Sequence, residues 1–161
     1  MGHTYTNMLV HVIFSTKDRA RLISDDLRPR LYEYLAGVAR HEFGRALDIG
    51  GTGDHVHAVL SLRADVSVAE ALRKWKSLSS GWVHYTFPEH HAFAWQAGYG
   101  AFSVSQSGLD AVRAYIARQA DHHATYKRPA GSVGAATAEP GSREGPLSHT
   151  DPRLTGHLPR E

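Results

Sequence analysis

Two histidines one residue apart give this sequence its clearest capacity for chemistry. His55 and His57 flank Val56 within residues 54–62, an apolar run that reads as a buried strand entered from a glycine-rich turn. Because side chains alternate along a strand, both imidazoles point to one face while Val56 points into the core. Two such imidazoles supply half the ligands of a divalent-metal site. The pattern alone is a weak signal in a chain with 12 histidines, so its weight depends on the surrounding elements.

A second pair of polar side chains lies on the last predicted helix. Tyr115 and Gln119 are four residues apart and therefore share one helix face, with His122 close to the same stripe. Ile116 belongs to the packing side of that helix. An isolated tyrosine in this position is typical of a half-buried aromatic ring with its hydroxyl in water. Gln119 alone is an ordinary residue of a helix surface.

The order of the predicted elements indicates how these pairs are held. Strands are predicted over residues 8–15, 46–49, 54–62 and 101–105, and helices over residues 25–43, from 67 onward and 107–123. The order β-α-β-β-α-β-α predicts an α+β fold, a ferredoxin-like split βαβ antiparallel sheet with helices on one face and a C-terminal helix carrying the tyrosine. Such a sheet leaves its other face, or an edge, available for a ligand.

The second helix is the best delimited of the three. Ser67 and Glu70 are three residues apart and form a capping box at its start. The helical spacing predicts that its apolar residues point inward, namely Ala71, Leu72, Trp75, Leu78 and Trp82. It also predicts that its basic residues point largely outward, namely Arg73, Lys74 and Lys76.

Length and composition favour a single folded domain with a tail. The 161 residues include 42% hydrophobic and 21% charged side chains, which is ordinary for a globular protein. We predict a domain over residues 1–128 and a Pro/Gly/Ser-rich disordered tail over residues 129–161. The sequence has no cysteine, so a metal must rely on histidine, carboxylate or amide ligands. No membrane-spanning run or secretory signal is visible, and we expect a cytoplasmic protein with no membrane partner.

Three separated motifs together resemble one protein family. They are residues 55–57 (His-Val-His), residues 95–105 (Trp-Gln-Ala-Gly-Tyr-Gly-Ala-Phe-Ser-Val-Ser) and residues 115–119 (Tyr-Ile-Ala-Arg-Gln). In this order they closely resemble the IS200-like (IS200/IS605-type) single-tyrosine transposases, which belong to the HUH nucleases. Residues 11–19 also look like the first strand and loop of that family. The resemblance covers about residues 3 to 127.

The resemblance implies a metal-dependent transposase that recognises hairpins and acts on single-stranded DNA. Tyr115 would be the nucleophile, forming a 5′-phosphotyrosine that a 3′-OH later attacks to rejoin strands. His55, His57 and the amide oxygen of Gln119 would hold a hard or borderline cation such as Mg²⁺ or Mn²⁺. The family also implies a homodimer whose sheets join and whose active sites are shared between subunits. Asp54 is either a further ligand or a turn residue, and the turn is the preferred interpretation.

Several basic and aromatic side chains are candidates for contacts with DNA. Basic side chains suited to phosphate are equally suited to a solvated surface, namely Lys17, Arg19, Arg21, Arg73, Lys74 and Lys76. Trp95 and Tyr99 either stack on unpaired bases or close the core. His122 and His123 fit a helix C-terminus interacting with its dipole better than they fit a metal site. His90 and His91 receive no role.

The C-terminus departs from the family, and this keeps other functions open. Relatives continue beyond the tyrosine helix with a basic stretch and another amphipathic helix, whereas this chain enters its Pro/Gly/Ser-rich segment after Arg128. A decayed or host-adapted copy would be a non-catalytic module that binds single-stranded nucleic acid. A small metal-dependent hydrolase in which Tyr115 is structural is the third hypothesis.

Overall fold

The computed structural model describes residues 3–119, and in that range the elements follow the predicted order. They are β1 (Met8–Ser15), α1 (Leu27–Glu42), β2 (Gly44–Gly51), β3 (His55–Leu62), α2 (Val68–Thr86), β4 (Gly100–Ser103) and α3 (Leu109–Ala117). Short 3-10 turns occupy Lys17–Arg19, Pro88–His90 and Gln106–Gly108. The predicted tail, His122 and His123 lie outside the described residues.

The four strands form one antiparallel sheet in the order β2-β3-β1-β4. β1 therefore pairs with both β3 and β4, and each βαβ unit is split by a strand of the other unit. This is the ferredoxin-like arrangement predicted from the order of elements, and the predicted fold class is confirmed. Within residues 3–119, no helix is long and apolar enough to cross a membrane.

One face of the sheet packs against α1 and α2 and forms the apolar core. Alternate strand residues are buried there, including Val12 and Phe14 on β1 and Val56 on β3. The indole N–H of Trp75 donates to the carbonyl of Leu35 at 2.7 Å, which ties α2 to α1 inside the core. Burial of these side chains supplies most of the hydrophobic stabilisation, at about 25 cal/mol per Å² of apolar surface.

The capping box of α2 is present, but one part of the predicted helix face is wrong. The Ser67 hydroxyl accepts a hydrogen bond from the Glu70 N–H at 3.1 Å. The predicted inward position of Leu78 is incorrect, since its side chain is 41% exposed. The buried stripe instead continues every fourth residue through Trp75 and Ser79, and the Ser79 hydroxyl is satisfied by donating to the Trp75 carbonyl at 2.7 Å.

The helix α3 lies on the opposite face of the sheet, and the predicted end of this helix near His123 lies outside the described residues. It ends at Ala117, where Arg118 forms a turn, and it begins after the Ser105 hydroxyl has accepted a hydrogen bond from the Gly108 N–H at 3.0 Å. α3 crosses β2 at Gly50, where an added Cβ would lie 2.6 Å from the Ile116 carbonyl oxygen. Only glycine permits this approach of the two backbones. The second face of the sheet is therefore partly covered by α3.

Candidate functional site

The two histidines of β3 point to the face of the sheet that α3 covers. His55 and His57 are each 5% exposed, and their ring centroids are 5.0 Å apart. Their partners in register on β1 are Ser15 and Ile13, which face the same side. Val56 between them is fully buried on the opposite side, as the alternation of side chains predicts. The strand is buried on both faces because helices lie on both.

His55 is held by hydrogen bonds at the start of β3. Its Nδ1 donates to Asp54 Oδ1 at 2.6 Å, and the hydroxyl of Thr52 lies 3.0 Å from the same nitrogen. Burial by itself would raise the pKa of the Asp54 carboxyl, but the hydrogen bonds from His55 and Thr52 outweigh it and lower this pKa to about 2. Arg19 adds an ion pair with Asp54 at 3.3 Å. Asp54 thus remains a carboxylate that orients His55.

A third histidine, on β1, joins the pair and was not among the predicted site residues. His11 Nε2 lies 3.1 Å from His57 Nδ1, and the two rings stack with centroids 5.3 Å apart. Partial burial lowers the pKa of His11, which favours its neutral form. The available sequence signal was the alternation in residues 10–12, which places His11 on the face opposite Val10 and Val12. The register between β1 and β3, which brings it to His57, is a tertiary feature.

The tyrosine of α3 reaches the histidines edge-on. The ring centroid of Tyr115 is 5.6 Å from that of His57 and 6.1 Å from that of His11, with interplanar angles of 78° in both cases. The side chain of Tyr115 remains 46% exposed, so an external substrate has access to it. The position of the ring follows from the neighbouring residue, because Ile116 sits directly over Gly50 and Gly50 pairs in register with His57.

An ion pair also ties α3 to the sheet beside this contact. Arg113 on α3 donates to the carboxylate of Asp48 on β2. Asp48 precedes Gly50 by two residues on the same strand. Asp48 pairs in register with Val59, which is fully buried on the histidine face of β3. The helix is therefore attached to β2 by one close backbone approach and one charged contact.

Gln119 lies just beyond the end of α3 and is buried, with 4% of its side chain exposed. Among residues 3–119, no three histidine, cysteine, aspartate or glutamate side chains are arranged to hold a metal ion. His55 and His57 each make a hydrogen-bond contact through Nδ1, His55 with Asp54 and His57 with His11.

The basic candidates fall into two groups. Lys17, Arg19, Arg21 and Arg73 are exposed. Lys74 is half-exposed and pairs with Glu42 at 3.1 Å. Lys76 donates to the carbonyls of residues 96–98, two of them within 2.7 Å, and burial lowers its pKa. Lys74 and Lys76 thus have partners within the protein, whereas the four exposed residues present their charges to solvent apart from the Arg19–Asp54 pair.

The two aromatic candidates also separate. Trp95 donates its indole N–H to Ser79 Oγ at 2.9 Å, and its ring lies 4.7 Å from the ring of Phe14. These contacts correspond to the core-closing interpretation of Trp95. Tyr99 is 43% exposed and lies beside the Lys76 ammonium, 5.9 Å from ring centroid to Nζ.

Comparisons with known proteins agree with one another. Residues 4–119 match the sequence model of the family described as "Transposase IS200 like". The fold is similar to the crystal structure of a chain identified as a transposase from Deinococcus radiodurans R1, with 21% identity, a TM-score of 0.58, and coverage of 74% of this chain and 96% of that one. It is also similar to a REP-associated tyrosine transposase bound to a REP hairpin, with 14% identity, a TM-score of 0.58, and coverage of 79% and 75%. No curated protein sequence matches significantly.

Proposed function

Because this chain belongs to the IS200-like transposase family, we propose that it cleaves and rejoins single-stranded DNA in the cytoplasm, with Tyr115 as the nucleophile. The observation that carries the proposal is the contact of Tyr115 with His57, 5.6 Å between ring centroids, on a face where the tyrosine stays 46% exposed. A packing role for the Tyr115 ring would not by itself account for two buried histidines next to an exposed tyrosine.

The proposed reaction conserves the energy of the phosphodiester bond. The phenolic oxygen of Tyr115 attacks phosphorus, the bond from phosphorus to the 3′ oxygen breaks, and the leaving oxygen gains a proton as the phenol loses one. The product is a 5′-phosphotyrosine and a free 3′-OH. Attack of a 3′-OH on the phosphotyrosine reverses these steps and joins two strands.

The proposed metal ligands have donor types that can hold a divalent cation such as Mg²⁺ or Mn²⁺. We propose that His55, His57 and Gln119 hold it, because two oriented imidazoles and one amide oxygen suit such ions. When bound, the cation would polarise the scissile phosphate and stabilise its developing charge. Asp54 orients His55 through Nδ1, and His11 does the same for His57. These two contacts determine the tautomer and ring orientation of each proposed ligand.

We propose that the substrate is single-stranded DNA next to a hairpin. The related structure with a bound REP hairpin supports this choice, as does the family. The exposed residues Lys17, Arg19, Arg21 and Arg73 are the proposed phosphate contacts. Each neutralised phosphate lowers the slope of log affinity against log salt concentration by about 0.7 for single strands. Lys74 and Lys76 are better suited to holding α1 and the 96–98 segment in place.

We also propose that two chains form a homodimer, as in the family pattern. Within one chain, Tyr115 already lies against its own His57. Mixing Tyr115→Phe chains with His57→Ala chains tests which arrangement acts during cleavage. Restored cleavage means that one subunit supplies the tyrosine and the other the histidines. Absence of cleavage, with heterodimers shown to form, means that each chain uses its own groups.

The decisive experiment is a denaturing gel of the protein with labelled hairpin DNA from the flanks of its own gene. We expect a covalent protein–DNA adduct with Mn²⁺, and none with EDTA or with Tyr115→Phe. The matched control is Tyr85→Phe, because Tyr85 is 89% exposed on α2, on the other side of the sheet. Metal-independent binding with no adduct contradicts the proposal and favours a non-catalytic binding module. Turnover that survives in Tyr115→Phe indicates a hydrolase with a structural tyrosine.

A further inference from the structure

A row of rings runs across the sheet from the histidines to the edge strand. On the face covered by α3, the centroids of His55 and His57 are 5.0 Å apart, those of His57 and His11 are 5.3 Å apart, and those of His11 and Phe102 are 6.3 Å apart. These four side chains belong to three neighbouring strands, β3, β1 and β4. The row ends at Phe102, which is 57% exposed.

Phe102 forms an apolar shelf beside the proposed site. It pairs in register with His11, and its ring folds over Gly100, whose added Cβ would lie 3.3 Å from Phe102 Cε2. Ile13, the register partner of His57, borders the same space. A cavity of about 300 Å³ is lined by Ile13, Tyr99, Gly100 and Phe102, among others. This volume lies at the lower end of the range for ligand pockets.

The wall of this cavity is held in place from behind. The Lys76 ammonium donates to the carbonyls of Gln96 at 2.7 Å and Gly98 at 2.6 Å, two residues that line the cavity. The Gln96 side chain in turn accepts a hydrogen bond from the Asp18 N–H at 3.0 Å. The segment that carries Tyr99 is therefore anchored to α2 and to the 3-10 turn that follows β1, so the cavity is a formed feature of the surface.

We propose that Phe102, with Ile13 and Tyr99 around it, binds one unpaired nucleobase of the DNA strand, on a nucleotide flanking the scissile phosphate. The inference rests on the proposed function, since it takes the phosphate to lie at His57 and Tyr115. Stacking on an aromatic side chain is the usual way for a protein to hold an unpaired base, and every base offers the ring face it needs. The shelf continues directly from the histidines, so a strand lying along the row of rings would place a base there.

A second copy of the chain is the competing occupant, because β4 is an edge strand. Pairing of two edges uses backbone N–H and C=O groups in the plane of the sheet. The Phe102 side chain projects out of that plane, on the histidine side, and edge pairing by itself does not cover it. A nucleobase that approaches from the histidine side of the sheet does cover the Phe102 ring.

The test places 2-aminopurine, one position at a time, in the single-stranded arms of the hairpin DNA from the flanks of the gene. Fluorescence is followed on binding to the full chain in EDTA, where cleavage does not proceed. We expect strong quenching at one position flanking the cleavage site, lost in Phe102→Ala and retained in Phe102→Trp. Loss of one stacked base weakens binding by about 5- to 150-fold. Tyr85→Ala removes an exposed aromatic on the far side of the sheet and should change neither quantity.

The outcomes separate this inference from the proposed function. Unchanged quenching and affinity in Phe102→Ala, with wild-type protein that forms the adduct in Mn²⁺, overturn the base site and leave the transposase proposal standing. Quenching that depends on Phe102, with no adduct under any condition, supports the base site and overturns the catalytic proposal. A change only in sedimentation, with DNA binding unaltered, assigns the shelf to a second copy and overturns the inference.

Discussion

The two faces of the same sheet have opposite character. Towards α1 and α2, the strands present side chains such as Val12, Phe14 and Val56, which are buried in an apolar core. Towards α3, alternate residues of the same strands include His55 and His57, which are buried yet polar, and His11, which is partly buried. Adjacent residues of one strand therefore belong either to the apolar core or to the histidine cluster.

This difference shows how the fold accommodates a buried polar cluster at little risk to stability. Buried polar groups are costly unless they are hydrogen-bonded, and His55 and His57 each have such a partner at Nδ1. Among residues 3–119, the cluster is covered by a helix of 9 residues, whereas the apolar face is covered by helices of 16 and 19 residues. Changes on the α3 face should therefore affect activity more than stability, and changes on the other face should do the reverse.

The sharpest way to break this comparison is to alter two adjacent residues of β3. We expect His57→Ala to lower the rate of adduct formation by more than about 100-fold, because it removes a proposed metal ligand. We expect Val56→Ala to lower the free energy of unfolding by about 2 kcal/mol through lost burial, with little change in the rate. Gel assays and urea denaturation measure the two quantities. Equal losses of stability in both variants would contradict a division of roles between the faces.

The close backbone contact between α3 and Gly50 is the second feature to alter, and we expect the next largest effect on the cleavage rate from it. In Gly50→Ala the new Cβ would lie 2.6 Å from the Ile116 carbonyl oxygen, so α3 must move and carry Tyr115 with it. A displacement of about 1 Å in a reacting group can lower the rate about 100-fold. Gly37→Ala is the matched control, because its Cβ meets nothing within 4 Å and alanine favours a helix by about 1 kcal/mol. Wild-type cleavage by Gly50→Ala would show that this contact does not position Tyr115.

The contact between His11 and His57 should have a smaller effect. We expect His11→Ala to weaken Mn²⁺ binding and adduct formation by about 10- to 100-fold, because His57 loses the partner that orients its ring. His11→Gln offers an amide in place of the imidazole and should recover part of the loss. The control is His84→Ala, which removes a histidine bonded to the Phe93 carbonyl on the α2 side of the sheet. Calorimetric titration with Mn²⁺ measures the change, and equal affinities for His11→Ala and His84→Ala would exclude an orienting role.

We expect the smallest effect, on the free energy of unfolding, from removing the Tyr32 hydroxyl on the apolar side of the sheet. The buried hydroxyl of Tyr32 has no hydrogen-bond partner among residues 3–119, and burial raises its pKa to about 12. We expect Tyr32→Phe to leave the free energy of unfolding unchanged near pH 7 or to raise it by up to about 1 kcal/mol. Because the folded pKa lies above the unfolded one, the wild type should lose stability relative to the variant as the pH rises from about 10 to about 12. Urea denaturation at several pH values measures this difference. A difference in the free energy of unfolding between wild type and Tyr32→Phe that stays constant from about pH 10 to about pH 12 would contradict the buried position of the hydroxyl.

The amino-acid sequence was sufficient for those features that depend on neighbours along the chain. The order of strands and helices follows from local periodicity, and with it the ferredoxin-like topology. The common face of His55 and His57 follows from the pleat of a single strand. The start of α2 follows from the Ser67–Glu70 spacing. The periodicity of each element, the alternation along β3 and the cap of α2 each involve only residues that are close together in the chain.

What the tertiary structure decided depends on register and on close approach between distant segments. The pairing of β1 with β3 brings His11 to His57, 46 residues away. The contact of Ile116 with Gly50 brings Tyr115 over the histidines. Trp95 packs against Phe14, and Leu78 is displaced from the buried stripe by Ser79. These outcomes arise because strand register and helix docking are selected by the packing of the whole domain, which no local spacing encodes.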